Sequence, residues 1–141
     1  MQLKVKRVSP DAVLPHFAHP GDAGMDVHAT EYAIIPAHGF AVVHTGIAVE
    51  LPPNTELQVR PRSGLAAKSG IFACLGTVDE KYRGEIFATV FNMGDRSYEV
   101  NKGDRICQFV VMPRLDIEIV KVNEISTATE RGTNGCGSTG I

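Results

Sequence analysis

No stretch of this chain is apolar enough to span a bilayer, and its N-terminal "MQLKVKRVSP" lacks the apolar region of a secretory signal. Neither sign of charge is in excess. A net charge of −2 argues against a general nucleic-acid or membrane-surface binder. Cysteine is scarce: Cys74, Cys107 and Cys136 are odd in number and widely spaced. That pattern favours reduced thiols in a cytoplasm-like compartment over a disulfide framework. No CxxC occurs, and the HxxH of His16 and His19 has no partners at ligand spacing, so structural zinc is not expected. Repeats and low-complexity linkers are absent too. Space for a long helix is also missing, because prolines at 10, 15, 20, 36, 52, 53 and 61 punctuate the first half.

What remains is an ordinary globular composition, 43% hydrophobic and 21% charged over 141 residues. One domain of this length buries roughly two-thirds of its unfolded surface without staples. Period-two alternation recurs along it. Leu3 and Val5 oppose Lys4 and Lys6, Leu57 and Val59 oppose Gln58 and Arg60, and Ile117 and Ile119 oppose Asp116 and Glu118. "EIFATVF" (85–91) is apolar on both faces, which suits a strand buried between two layers. "SGLAAKSG" is the single helix candidate, with Ser63 as its cap and Gly70 as its stop. Short strands separated by frequent turns predict an all-β sandwich, jelly roll or barrel. The alternation ceases at residue 126. The expected organisation is therefore one domain over 1–125 followed by a glycine-rich arm over 126–141.

Chemistry-bearing residues are grouped. "RPRSGLAAK" (60–68) joins Arg60, Arg62, Ser63 and Gly64 at a helix start, either a phosphate-binding turn or a solvated basic one. "GTVDEKYRGE" (76–85) sets Asp79 directly after an apolar strand, as a general base or as a turn residue. Tyr82 follows three residues on, with a ring that suits a sugar or base, or simple packing. "AGMDVHA" (23–29) carries Asp26, a single carboxylate of the kind that assists Mg²⁺ held mainly by substrate phosphates. His28 beside it reads as a strand residue. "KGDRICQFVV" (102–111) offers Asp104, Arg105 and Gln108, where a turn salt link is the simpler reading. The closing "RGTNGCGSTGI" resembles a Walker A loop but has Ser138 in place of the lysine and no helix after it, so it is not a P-loop.

In this order, "AGMDVHA", "RPRSGLAAK", "GTVDEKYRGEIFATVFN", "GDRICQF" and "RGTNGCGSTG" resemble the five motifs of the homotrimeric deoxyuridine triphosphatases (dUTPases), over residues 23 to 140. The resemblance implies a distorted jelly-roll fold, Mg²⁺-dependent hydrolysis of dUTP to dUMP and pyrophosphate, and a homotrimer whose chains share each active site. It further implies an enzyme of the cytoplasm, or of the host cell interior if viral, with no nucleic-acid or membrane partner. Asp79 then resembles the base that activates water, and Arg62, Ser63 and Gly64 the phosphate-binding turn. Gln108 resembles the glutamine near the phosphates, and Asp26 the aspartate that holds waters of the Mg²⁺ shell. Tyr82 resembles the ring against deoxyribose, and Thr77, Val78 and Phe87 lie where the nucleoside is met. Arg131 would reach the γ-phosphate, while Gly135, Cys136, Gly137 and Ser138 would wrap over bound nucleotide as a lid. Two positions depart from the family pattern. Ala73 replaces a frequent asparagine, and Cys136 replaces the aromatic that stacks on uracil. A dCTP deaminase of the same fold and a non-enzymatic nucleotide switch stay open beside this reading. Ammonia release from dCTP separates the first, and pyrophosphate release the second.

Overall fold

Alternation becomes strand wherever a partner edge is available. A computed structural model describes residues 1–134. Ten strands and one helix are present among them: β1 (Lys4–Arg7), β2 (Met25–His28), β3 (Ala33–Ile35), β4 (Phe40–Glu50), β5 (Thr55–Arg60), α1 (Ser63–Ser69), β6 (Ile71–Ala73), β7 (Gly76–Val78), β8 (Ile86–Asn92), β9 (Tyr98–Val100) and β10 (Arg105–Pro113). β5 shows the logic plainly: Thr55, Leu57 and Val59 are buried while Glu56, Gln58 and Arg60 face outward.

Two four-stranded antiparallel sheets, ordered β1-β4-β8-β6 and β2-β10-β5-β7, form a jelly-roll sandwich, with β3 and β9 as a small third sheet. Their inner faces make one core, in which Val27, Leu57 and Phe109 join Val43, Ile47 and Val90. Truncating a ring as buried as that of Phe109 costs about 3–5 kcal/mol. The core thus fixes the relative placement of the strand ends, where the chemistry sits.

Three sequence expectations are revised. The helix N-cap is Arg62, in extended conformation with no side-chain capping bond, so Ser63 is the first helical residue and not the cap. Gly70 does stop the helix, at φ 66°, where its N–H donates to Ala66 O. Only one face of β8 is buried. Ile86, Ala88 and Val90 point into the core, whereas Phe87 is half-exposed, because the described residues supply no second layer outside that sheet. Finally, residues 114–134 form neither strand nor helix. Ile117 and Ile119 alternate as expected but find no sheet edge among the described residues, and both are exposed.

Candidate active site

Asp26 sits on β2 at the outer edge of its sheet, with a side chain only 14% exposed. Its Oδ1 accepts from Arg62 Nε at 3.1 Å and its Oδ2 from Arg105 Nη1 at 3.0 Å. A carboxylate this desolvated needs such pairing. Two guanidinium charges against one carboxylate leave a net charge of +1, so the cluster favours an anion. Gln108, on β10, lies opposite both Asp26 and Arg60, and its Nε2 donates to Pro61 O at 2.9 Å. That bond ties β10 to the turn carrying Arg62, Ser63 and Gly64. Ser63 and Gly64 are exposed beside the arginine, and nothing lies within 4 Å of where a Cβ on Gly64 would stand. Four residues singled out in three separate motifs, Asp26, Arg62, Ser63 and Gln108, thereby meet around one turn.

Two further groups belong here that the sequence did not single out for this role. Arg105 pairs with Asp26 rather than with its neighbour Asp104, whose carboxylate accepts from Asn101 N instead. Gly24 leaves the space that the Gln108 side chain fills. A glycine before an aspartate was the only available signal for the latter. His28, across from Arg105, stacks on His16 with ring centroids 5.4 Å apart, and its Nδ1 is buried without a partner among the described residues. Burial first, then His16, lowers the His28 pKa; Asp26 opposes this, and Arg105 and Arg62 add to it.

A second constellation lies elsewhere. A pocket of about 290 Å³ is lined by Val59, Thr77, Val78, Asp79, Tyr82 and Phe87, among others. This volume suits a base and sugar better than a whole nucleoside triphosphate. β7 is an edge strand, so Gly76, Thr77 and Val78 leave main-chain groups on one side without a strand partner. Asp79 follows β7 and is exposed at the pocket. The Tyr82 hydroxyl donates to Glu85 O at 3.0 Å.

The single chain does not bring these two constellations together. Val78 pairs with Leu57, so Asp79 is level with Glu56, while Arg62 lies six residues further along the same chain. Six rises of extended chain separate them by roughly 20 Å. Arg131 reaches neither group; its Nε donates to Asn134 O in its own turn. Gly135, Cys136, Gly137 and Ser138 lie outside the described residues.

The donor chemistry limits what metal could bind. Among the described residues no cluster of three or more His, Cys, Asp or Glu side chains could hold an ion. Both oxygens of Asp26 are already engaged by arginines. These residues fit an ion that arrives with phosphates and keeps its own waters, and they do not fit a protein-built cage.

Set beside solved structures, the sandwich falls in one class, the dUTPase jelly rolls. It aligns at TM-score 0.92 with a mutant dUTPase of Staphylococcus bacteriophage 80alpha determined with dUpNHpp, at 27% identity over 99% of both chains. A mutant dUTPase from phage phi11 of S. aureus, whose structure concerns coordination of a structural Mg(II) ion, aligns at TM-score 0.82 and 25% identity, covering 88% of this chain and 98% of that one. The deoxyuridine 5′-triphosphate nucleotidohydrolases of Clostridioides difficile and Alkaliphilus metalliredigens (strain QYMF) are 48% and 47% identical over 141 residues. Each alignment covers 99% of this chain, and 98% and 97% of the respective relative. The dUTPase family model matches residues 11–140, and the chain belongs to the dUTPase family.

Proposed function

We propose that this protein hydrolyses dUTP to dUMP and pyrophosphate with Mg²⁺, keeping uracil out of DNA and supplying dUMP for dTMP synthesis. The observation that carries the reading is the whole-chain relation to proteins named deoxyuridine 5′-triphosphate nucleotidohydrolase. The pocket chemistry supports it. Uracil is read by the free main-chain edge of Gly76, Thr77 and Val78, with Phe87 and Tyr82 packed against the nucleoside and Tyr82 facing the sugar.

Asp79 is the general base. It takes a proton from a water whose oxygen bonds to the α-phosphorus, while the bond from that phosphorus to the bridging oxygen breaks and pyrophosphate leaves with the electron pair. Arg62, Ser63, Gly64 and Gln108 hold the phosphates, and Arg131 takes the γ-phosphate from the 126–141 arm, which acts as lid to the domain over 1–125. Gly135, Cys136, Gly137 and Ser138 belong to that lid. When bound, Mg²⁺ neutralises charge on the phosphate oxygens. Asp26 would hold waters of its shell.

A base and a phosphate turn at opposite ends of β5 support a site completed by different chains of a homotrimer. Two apolar surfaces support the same assembly. Phe40, Val42 and Phe87 are exposed on the outer face of the β4–β8 pair, and Leu115, Ile117, Ile119, Val120, Val122 and Ile125 are exposed beyond β10. Among the described residues no helix is long and apolar enough to cross a membrane. The enzyme is assigned to the cytoplasm, with no nucleic-acid or membrane partner.

The test is pyrophosphate release, with and without Mg²⁺, from dUTP, dCTP, dTTP and UTP. Release from dUTP alone supports the reading. Ammonia from dCTP supports a deaminase, and no release from any of them supports a non-enzymatic switch.

A further inference from the structure

Among the described residues, the hydrogen bond of the Tyr82 side chain lies within its own turn. Its hydroxyl is bonded to the main-chain oxygen of Glu85, and its ring folds back over Gly84, where a Cβ would collide with the hydroxyl and stand 2.6 Å from Cζ. The ring is therefore tied to the Glu85 backbone. That backbone is anchored by its own side chain. Glu85 Oε1 accepts from Gly46 N at 2.9 Å and lies 3.1 Å from His44 Nδ1; Oε2 lies 3.2 Å from the same nitrogen. The Glu85 side chain is 29% exposed and the His44 side chain 48%.

The anchor point is unusual for a strand interior. β4 and β8 lose register between His44 and Ile47, so the ladder is interrupted at Thr45 and Gly46. The Glu85 carboxylate takes the Gly46 N–H there, and the Thr45 hydroxyl donates to Ile86 O alongside. The start of β8 is thus keyed to the bulge at two successive residues. His44 also lies against Phe87 of the pocket, with ring centroids 6.4 Å apart.

We propose that Glu85 is a positioning residue for sugar discrimination: by locking its carboxylate to Gly46 N–H and His44 across the β4 bulge, it fixes the carbonyl that holds the Tyr82 ring against a 2′-hydroxyl. This rests on the reading of the pocket as a deoxynucleoside site. Glu85 does not touch the reacting atoms. Its effect is on which sugar is accepted, through a ring whose displacement would open room for one oxygen.

The experiment compares kcat/KM for dUTP and for UTP in the intact protein and in Glu85→Ala, Glu85→Asp and Glu85→Gln, each checked for folding and assembly. Glu85→Ala is expected to lose about tenfold of the dUTP-over-UTP ratio, the scale set by one small group in a pocket. Glu85→Asp, too short to reach Gly46 and His44 together, is expected to lose several-fold. Glu85→Gln keeps an acceptor for Gly46 N–H and is expected to restore most of the ratio. A variant that is merely less stable lowers both substrates alike and leaves the ratio unchanged. An unchanged ratio in folded Glu85→Ala overturns the inference, as does a Gln variant no better than Ala. If Glu85→Ala fails to fold, an unchanged ratio in Glu85→Asp overturns it instead. If the unaltered protein itself does not hydrolyse dUTP, it is the proposed function that fails.

Discussion

The Gln108 side chain of β10 lies against Gly24, the residue just before β2: a Cβ on Gly24 would overlap Gln108 Oε1 and lie 2.8 Å from its Cδ. The glycine therefore decides where the glutamine points, and the glutamine in turn holds Pro61 O beside the arginine turn. Gly24→Ala is expected to push Gln108 off Pro61. Stability should fall by only about 1 kcal/mol, the value of one such bond. The KM for dUTP should rise several-fold with kcat less affected. Parallel thermal melts and steady-state kinetics check this, and an unchanged KM would detach Gln108 from phosphate binding.

Asp79→Asn keeps the shape of the carboxylate but cannot accept the water's proton. Turnover is expected to fall by about 10²–10⁴ while dUTP still binds, the range for loss of a general base. Single-turnover kinetics with a binding measurement on the same variant separate the two effects. A near-normal kcat would remove Asp79 from the mechanism.

The thiols report on pocket and core separately. Cys74 is exposed and lines the pocket beside β7, whereas Cys107 is buried and its pKa is pushed up to about 12, chiefly by desolvation. At pH 8 alkylation should label Cys74 in the native protein and leave Cys107 unmodified, because the thiolate is the reacting form. A non-hydrolysable dUTP analogue with Mg²⁺ should slow labelling of Cys74. Peptide mapping reads each cysteine independently, and equal labelling with and without nucleotide would place the base elsewhere.

Ile119 is 94% exposed within an alternating segment that has no strand partner among the described residues. Ile119→Glu is expected to shift the assembly toward monomer at micromolar concentrations, since it puts a charge into a surface that a trimer would bury. Sedimentation velocity checks this. A trimer of unchanged stability would show that the segment stays in solvent.

Much of this was legible in the sequence, for identifiable reasons. β5 follows from its alternation because one face has a core to meet. The stop at Gly70 follows from a helix that needs a left-handed residue to end. Motif order pointed to the residues of both constellations. The Arg105–Asp26 pair was hidden because the partners are 79 residues apart and a nearer aspartate, Asp104, offered a simpler match. The exposed face of Phe87 and the unpaired Ile117 and Ile119 were misread for one shared reason: an apolar pattern, on both faces or alternating, shows which residues favour cover, and not that the described part of the chain supplies it.

The central claim is that Asp79 of one chain works with Arg62 of another. Two separately inactive variants, Asp79→Asn and Arg62→Ala, should be mixed, allowed to exchange subunits, and assayed after mass measurement confirms hybrid trimers. In a hybrid ring, one junction combines an intact Asp79 with an intact Arg62, so an equal mixture should recover about a quarter of the unaltered activity. No recovery in verified hybrids, or full activity in a stable monomer, would contradict the account.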